Sequence, residues 1–287
     1  MRTLLYTLSA FLFFAFSPDK NQETGKNQII IFQPKDKEIL EQIFKNFRHD
    51  TNTPVPELVV EIGKFFKETP YVANTLESET EQLVINLREM DCTTFAENCL
   101  ALSRTINSGE LSFEKFTSEL KKIRYRNGKL NGYPSRLHYF SDWIYDNDRK
   151  GTIKSVSKEI AGIPYENKVN FMSTHPESYS HLKNNPELIS DLTAQENLIT
   201  NREAYYIPEE KISEFENKLK QGDIVGLTTG VDGLDITHVG ILIRAAGRIH
   251  LMHASSKANK VIISEETLEE YLLNSKTVTG IMVARPL

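Results

Sequence analysis

Two cysteines, Cys92 and Cys99, and a single tryptophan are all that 287 residues contain. The charge balance lacks a basic excess: 34 lysines and arginines stand against 39 acids, for a net charge of −5. The basic residues are also spread along the chain, which argues against nucleic acid as a partner. No apolar run reaches the roughly 20 residues a bilayer-spanning helix needs, so no stable membrane insertion is expected. Internal repeats and low-complexity tracts are missing too. What remains, 39% hydrophobic and 25% charged, is the composition of an ordinary globular protein with room for one large domain or two small ones.

The longest apolar run, Leu4 to Phe16, follows Arg2 and has the proportions of a secretory h-region. Ala15-Phe16-Ser17 offers small residues for cleavage, although Pro18 makes a poor first mature residue and leaves the cut site open. Residues 1–17 therefore read as a signal peptide, and the protein as exported, periplasmic or secreted. Export invites a disulfide. Both cysteines, however, fall seven residues apart on one predicted helix, about 10 Å at 1.5 Å per residue. A disulfide tolerates less than about 7 Å between Cα atoms, so Cys92 is expected free and Cys99 buried.

Residues 18–35 are polar and read as a loose lead-in, ahead of a single domain at 36–287. Ile39, Leu40, Ile43 and Phe44 recur at helical spacing, and a second helix runs through Pro56 to Phe66, near Pro54. The next helix organises the chain. Phe95, Cys99, Leu102 and Ile106 repeat at steps of four and three, which places Cys92 at or just before a first helical turn. Unpaired N–H groups and the macrodipole favour an anion there, so the thiol is expected to have a lowered pKa, as a nucleophile needs. The plainer reading is a small buried apolar residue.

A fourth helix is expected near Phe113 to Ile123. Residues 125–210 show no sustained period and are dense in Asn, Ser, Tyr and Pro. Within them, Gly132 to Trp143 holds Tyr133, Arg136, His138, Tyr139 and Trp143. Such a segment is either a loop with its own small core or a cleft, with aromatic faces for stacking and Arg and His for polar groups. From Gln221 the pattern changes to short strands and hairpins, broken by one helix at Thr267 to Asn274. If His238 and His253 lie directly opposite, the hairpin centre falls between Ala245 and Ala246, and both side chains share one face. His250 then points to the other face. A zinc site from Cys92, His238 and His253 is conceivable, but nothing in the spacing demands one.

A helix-borne cysteine followed far downstream by two strand histidines is the layout of a papain-like cysteine hydrolase. The series Asp91-Cys92-Thr93-Thr94-Phe95, Gln221-Gly222-Asp223-Ile224-Val225, His238-Val239-Gly240-Ile241 and Met252-His253-Ala254-Ser255 resembles the ordered motifs of NlpC-type peptidoglycan cysteine amidohydrolases. The aromatic Arg/His segment and the Gly233 to His238 approach resemble an N-acetylmuramoyl-L-alanine amidase-like branch. The resemblance covers about 91 to 284 and departs from the common pattern at Thr93, where Ser is usual. It implies an α+β, papain-like fold with N-terminal helices packed on a C-terminal antiparallel sheet, and 125–210 as a substrate-specificity insertion. It also implies Cys92 as nucleophile, His238 as general base and His253 as its orienting partner, without metal or cofactor. The implied reaction cleaves the amide between N-acetylmuramic acid and L-alanine in peptidoglycan fragments. Arg136, His138, Tyr139, Trp143, Asp91 and Asp235 are the candidate substrate contacts. The alternatives are a γ-D-glutamyl-diamino acid endopeptidase, an acyltransferase, and a silent muropeptide-binding module. Oligomeric state is not legible.

Overall fold

The computed structural model describes residues 22–25 and 28–287; the expected signal segment lies outside them. The described part of the lead-in is not loose throughout. Strands β1 (Gln22–Gly25) and β2 (Gln28–Ile31) pair antiparallel, and β2 runs parallel to β3 (Leu83–Val84). Helices α1 (Pro34–Phe47) and α2 (Val55–Phe65) follow the expected spacing, each with proline in its first turn, where a missing N–H costs nothing.

Helix α3 (Cys92–Asn107) begins at the cysteine itself. Asp91 is its N-cap: the carboxylate accepts the Thr94 N–H at 2.8 Å, and the Thr94 hydroxyl accepts the Asp91 N–H at 2.9 Å. This reciprocal pair satisfies donors that the first turn leaves open. Phe95, Cys99, Leu102 and Ile106 are buried as their spacing requires, and Ala96, Leu100 and Ala101 are buried with them. A helix apolar on most sides belongs inside a domain. Here α2, α4 (Phe113–Arg124) and the sheet enclose it. Gly63 of α2 permits the close approach, since a Cβ there would sit 2.2 Å from Met252 Cε.

The remaining elements in chain order are α5 (Phe140–Arg149), β4 (Ile153–Ser155), α6 (Ser157–Ile160), β5 (Ile163–Pro164), α7 (Phe171–Thr174), α8 (Pro186–Thr200), β6 (Tyr205–Pro208) and α9 (Ile212–Phe215). After them come β7 (Ile224–Thr229), β8 (Ile236–Ala245), β9 (Arg248–Ser255), β10 (Lys260–Thr267), α10 (Leu268–Leu273) and β11 (Val278–Pro286). One antiparallel sheet runs β10-β9-β8-β7-β11-β6-β5, with β4 also on β11. Alternation divides its residues. Val239, Ile241, Met252 and Ala254 pack with α2 and α3, whereas Leu227, Leu242, Leu251 and Ile281 pack with Leu268 and Leu272 of α10.

Two expectations need correction. The β8–β9 register is Ala245↔Arg248 and Ile243↔His250, so the turn is Ala246-Gly247, not Ala245-Ala246. Both turn residues have positive φ (48° and 84°), as a two-residue type I′ turn demands. The aperiodic segment 125–210 hides the 15-residue helix α8. Only Leu192, Glu196 and Ile199 of it are buried, too thin a stripe to show as a period. Leu192 and Ile199 form a separate small core with Tyr133, Tyr139, Met172 and Leu182.

Candidate active site

The corrected register leaves the histidines on one face. Continuing the ladder puts Gly240 across from His253, and His238 lies two residues along from Gly240. The pair is therefore diagonal instead of directly opposed. Diagonal neighbours are within reach of long or aromatic side chains. His238 Nε2 and His253 Nδ1 are 2.5 Å apart, with the rings edge-to-face at 4.7 Å between centroids. His250 faces away, its Nδ1 3.1 Å from the Ser264 carbonyl.

The last β8–β9 pair is Ile241↔Met252, and both strands continue past it. The start of α3 meets β8 in this unpaired stretch. The Val239 N–H, free of a ladder partner there, donates to the Cys92 sulfur, and the Thr93 hydroxyl lies 4.0 Å from it. Cys92 and His238 line one cleft of about 160 Å³, walled by His138, Tyr139, Met172 and Asp235. A larger cleft of about 530 Å³ adjoins it, lined by Glu77, Asp91, Glu97, Arg136 and Tyr179 among others. Thr93, His138 and Tyr179 belong to both.

The electrostatics overturn the expected thiol activation. Burial, then the Asp91 carboxylate, push the Cys92 thiol up to about 11, against the pull of the Val239 N–H and Thr93. The helix start does supply donors, but desolvating a thiolate beside a carboxylate outweighs them. Burial holds His238 down at about 4 and, with His238 beside it, His253 at about 3. The resting site is therefore neutral: a thiol and two uncharged imidazoles. Cys92 and Cys99 are both free, as expected.

The proposed substrate contacts fare unequally. Asp91 lines the larger cleft beside its capping role. His138 lines both clefts, with Nε2 2.9 Å from the Tyr133 carbonyl. Tyr139 reaches the smaller cleft, but its hydroxyl donates to Glu196 at 2.7 Å and accepts the Met172 N–H at 2.9 Å. Trp143 is not in a cleft wall. It is fully buried in the main core, stacked on Phe140 at 4.8 Å. Arg136 is only 6% exposed. Its guanidinium is 2.6 Å from Glu77 and 3.7 Å from the buried Glu81, over the Tyr133 ring. Charges at that depth must be paired, and Glu77 and Glu81 supply the counter-charges, while Nε keeps no hydrogen-bond partner. Asp235 is 1% exposed, and its two oxygens accept the Ser141 and Ile236 N–H groups.

Sequence reasoning missed Tyr71, Tyr271, Tyr179 and Glu77. Burial raises the Tyr71 and Tyr271 hydroxyls, and an ionised Cys92 would raise both further. Tyr271 also packs edge-on to His253. Each is an isolated residue far from the motifs, with no local signal. Among the described residues no group of three or more His, Cys, Asp or Glu is arranged to hold a metal. None of their helices is long and apolar enough to cross a membrane.

Residues 61–281 match the family described as N-acetylmuramoyl-L-alanine amidase-like. The chain belongs to that family. Its members' kind, amidase-like peptidoglycan hydrolases, accounts for a mixed helix and antiparallel-sheet architecture with amidase neighbours. A crystal structure of an N-acetylmuramoyl-L-alanine amidase from Bacteroides uniformis superimposes with TM-score 0.78 at 37% identity, covering 81% of this chain and 98% of that one. A Bacteroides fragilis structure, described as a candidate xylanase, gives TM-score 0.75 at 42% identity over 78% and 99% of the two chains. A Legionella pneumophila protein at 22% identity shares the fold, with TM-score 0.68 over 88% and 95%. No curated protein matches.

Proposed function

We propose that this member of the family is a cysteine amidase that cleaves the amide between N-acetylmuramic acid and L-alanine in muropeptides, on a papain-like arrangement of Cys92, His238 and His253. The observation that carries the reading is the shared cleft: Cys92, at the first residue of α3, and His238, bonded to His253, line the same small wall.

The chemistry follows from the tautomers. His238 serves as a base through Nδ1 only if its proton sits on Nε2, and that N–H then donates to His253 Nδ1. His253 thereby selects the working tautomer and orients the ring. With substrate bound, His238 takes the thiol proton as sulfur attacks the amide carbonyl. Backbone N–H groups at the α3 start hold the developing oxyanion. Imidazolium His238 gives its proton to the departing L-alanine nitrogen. Water, deprotonated by the same ring, releases the acyl group from the thioester.

The acyl side stays attached through the reaction and must be gripped. A muramoyl sugar suits a pocket with Tyr139 and His138 in its wall. The expected partners are peptidoglycan fragments. The apolar run Leu4 to Phe16 supports export to the periplasm or beyond, and a mature protein found by mass to retain that run would refute a cleaved signal peptide.

Given a muramoyl tripeptide, the enzyme should release the free muramic sugar and an intact tripeptide beginning with L-alanine. Cys92→Ala should release neither. Recovery of an L-alanyl-γ-D-glutamyl product with the third residue freed would instead establish the endopeptidase reaction.

A further inference from the structure

The loop between β7 and β8, residues 230–235, leads directly into the strand that bears His238, and one side of it is fastened to the insertion at 125–210. The Gly233 carbonyl accepts two N–H groups, from Asn170 and Phe171, each at 3.0 Å. The Asn167 side chain donates to the Leu234 carbonyl at 2.7 Å, and the Tyr165 hydroxyl to the Asp235 carbonyl at 3.0 Å. Gly233 has φ +78°, and a Cβ there would meet Asn170 Oδ1 at 2.6 Å. No other residue type fits this seam without moving one of its sides.

Asp235 completes the fastening from the other side. Its Oδ2 accepts the Ser141 N–H at 2.8 Å, in the first turn of α5, and its Oδ1 accepts the N–H of Ile236 at 2.7 Å. A carboxylate at that position caps α5 from outside the helix, where the open N–H groups favour negative charge. Tyr139 and Phe140, at the start of α5, face the same small cleft as Cys92 and His238. The carboxylate therefore ties one cleft wall to the strand of the catalytic histidine. Both of its oxygens are engaged by backbone groups, so it is poorly placed to receive a substrate ammonium.

We propose that Asp235, with Gly233 as its counterpart across the loop, is a positioning residue that sets the separation between the Tyr139–Phe140 wall and Cys92, and thereby which acyl groups the small cleft admits. The kinetic part of this inference rests on the amide-cleavage reading above; its geometric part does not.

The test compares alkylation of Cys92 by a small reagent, iodoacetamide, and a bulky one, N-phenylmaleimide, in the wild-type chain, Asp235→Asn, Asp235→Ala and Gly233→Ala. Labelling needs no substrate, so it stands even if muropeptides prove not to be cleaved. Loosening the seam should raise the ratio of bulky to small labelling about tenfold in Asp235→Ala and Gly233→Ala, the scale on which small displacements at a reacting centre act. Asp235→Asn keeps one acceptor oxygen and should fall between. On the muramoyl tripeptide, the same order should appear as a rise in KM larger than the fall in kcat. If Asp235→Ala does not accumulate folded, Gly233→Ala and Asp235→Asn decide. A labelling ratio within twofold of wild type in the folded variants overturns the proposal. An unchanged ratio with a KM as high in Asp235→Asn as in Asp235→Ala would assign Asp235 to direct recognition of a substrate charge.

Discussion

At the residue scale, the proposed nucleophile, Cys92, is held as a neutral thiol. Burial and Asp91 both oppose its ionisation, so in the proposed reaction the proton leaves as the substrate is attacked, and a resting thiolate–imidazolium pair is not expected. Alkylation of Cys92 should rise steadily from pH 6 toward its pKa of about 11; a plateau near pH 6 would reveal a preformed ion pair. Asp91→Asn keeps a capping oxygen but removes the charge, so it should lower the thiol pKa and speed labelling at neutral pH. The histidines add a second expectation. His238 is held at about 4 in the folded chain, below the usual value near 6.5. Between those two values the unfolded chain binds the extra proton and the folded chain does not. Stability from this group is thus present above about pH 6.5 and lost as pH falls toward 4. If His238 is the base proposed above, it stays neutral over the same window, and the acid limb of kcat/KM should lie near pH 4. A limb near 6.5 would show a solvated imidazole.

At the element scale, the β8–β9 hairpin decides whether the two histidines meet. Its Ala246-Gly247 turn needs positive φ at both positions. Gly247 has nothing within 4 Å of where a Cβ would be, so only backbone strain is at stake. Gly247→Ala should cost about 1 kcal/mol, read as a lower midpoint in urea with unchanged slope, and should leave the His238–His253 contact intact. The face shared by these histidines was legible because alternation depends only on parity: the expected and observed registers place the two side chains on the same side of the sheet. The register itself was not, because Ala245-Ala246 and Ala246-Gly247 are both small pairs, and φ decides between them. Helix α3 was legible from Phe95, Cys99, Leu102 and Ile106. Helix α8 was not, because only Leu192, Glu196 and Ile199 of it are buried.

At the scale of the whole molecule, charge burial divides the aromatic segment between core and cleft wall. Arg136, Tyr133, His138 and Trp143 have the make-up of a ligand cleft, and the same residues equally suit the inside of a fold. Arg136 pairs with Glu77 and the buried Glu81, contributed from some 55 residues earlier in the chain. Arg136→Ala leaves Glu81 without its counter-charge. It should therefore destabilise the fold by about 3–5 kcal/mol, seen as a marked fall in melting temperature, where loss of a surface contact would leave it nearly unchanged.

The amino-acid sequence by itself determined the helix with Cys92 at its start, the change to strands after Gln221, the parity of His238 and His253, and the isolation of the two cysteines. Each depends on residues close along the chain, where periodicity and spacing act directly. Only the tertiary structure decided the thiol's ionisation, the burial of Arg136 and Trp143, the place of Asp235 as a cap on α5, and the neighbourhood of Tyr71 and Tyr271. Those depend on which distant groups exclude water from one another, and desolvation has no signature in local sequence.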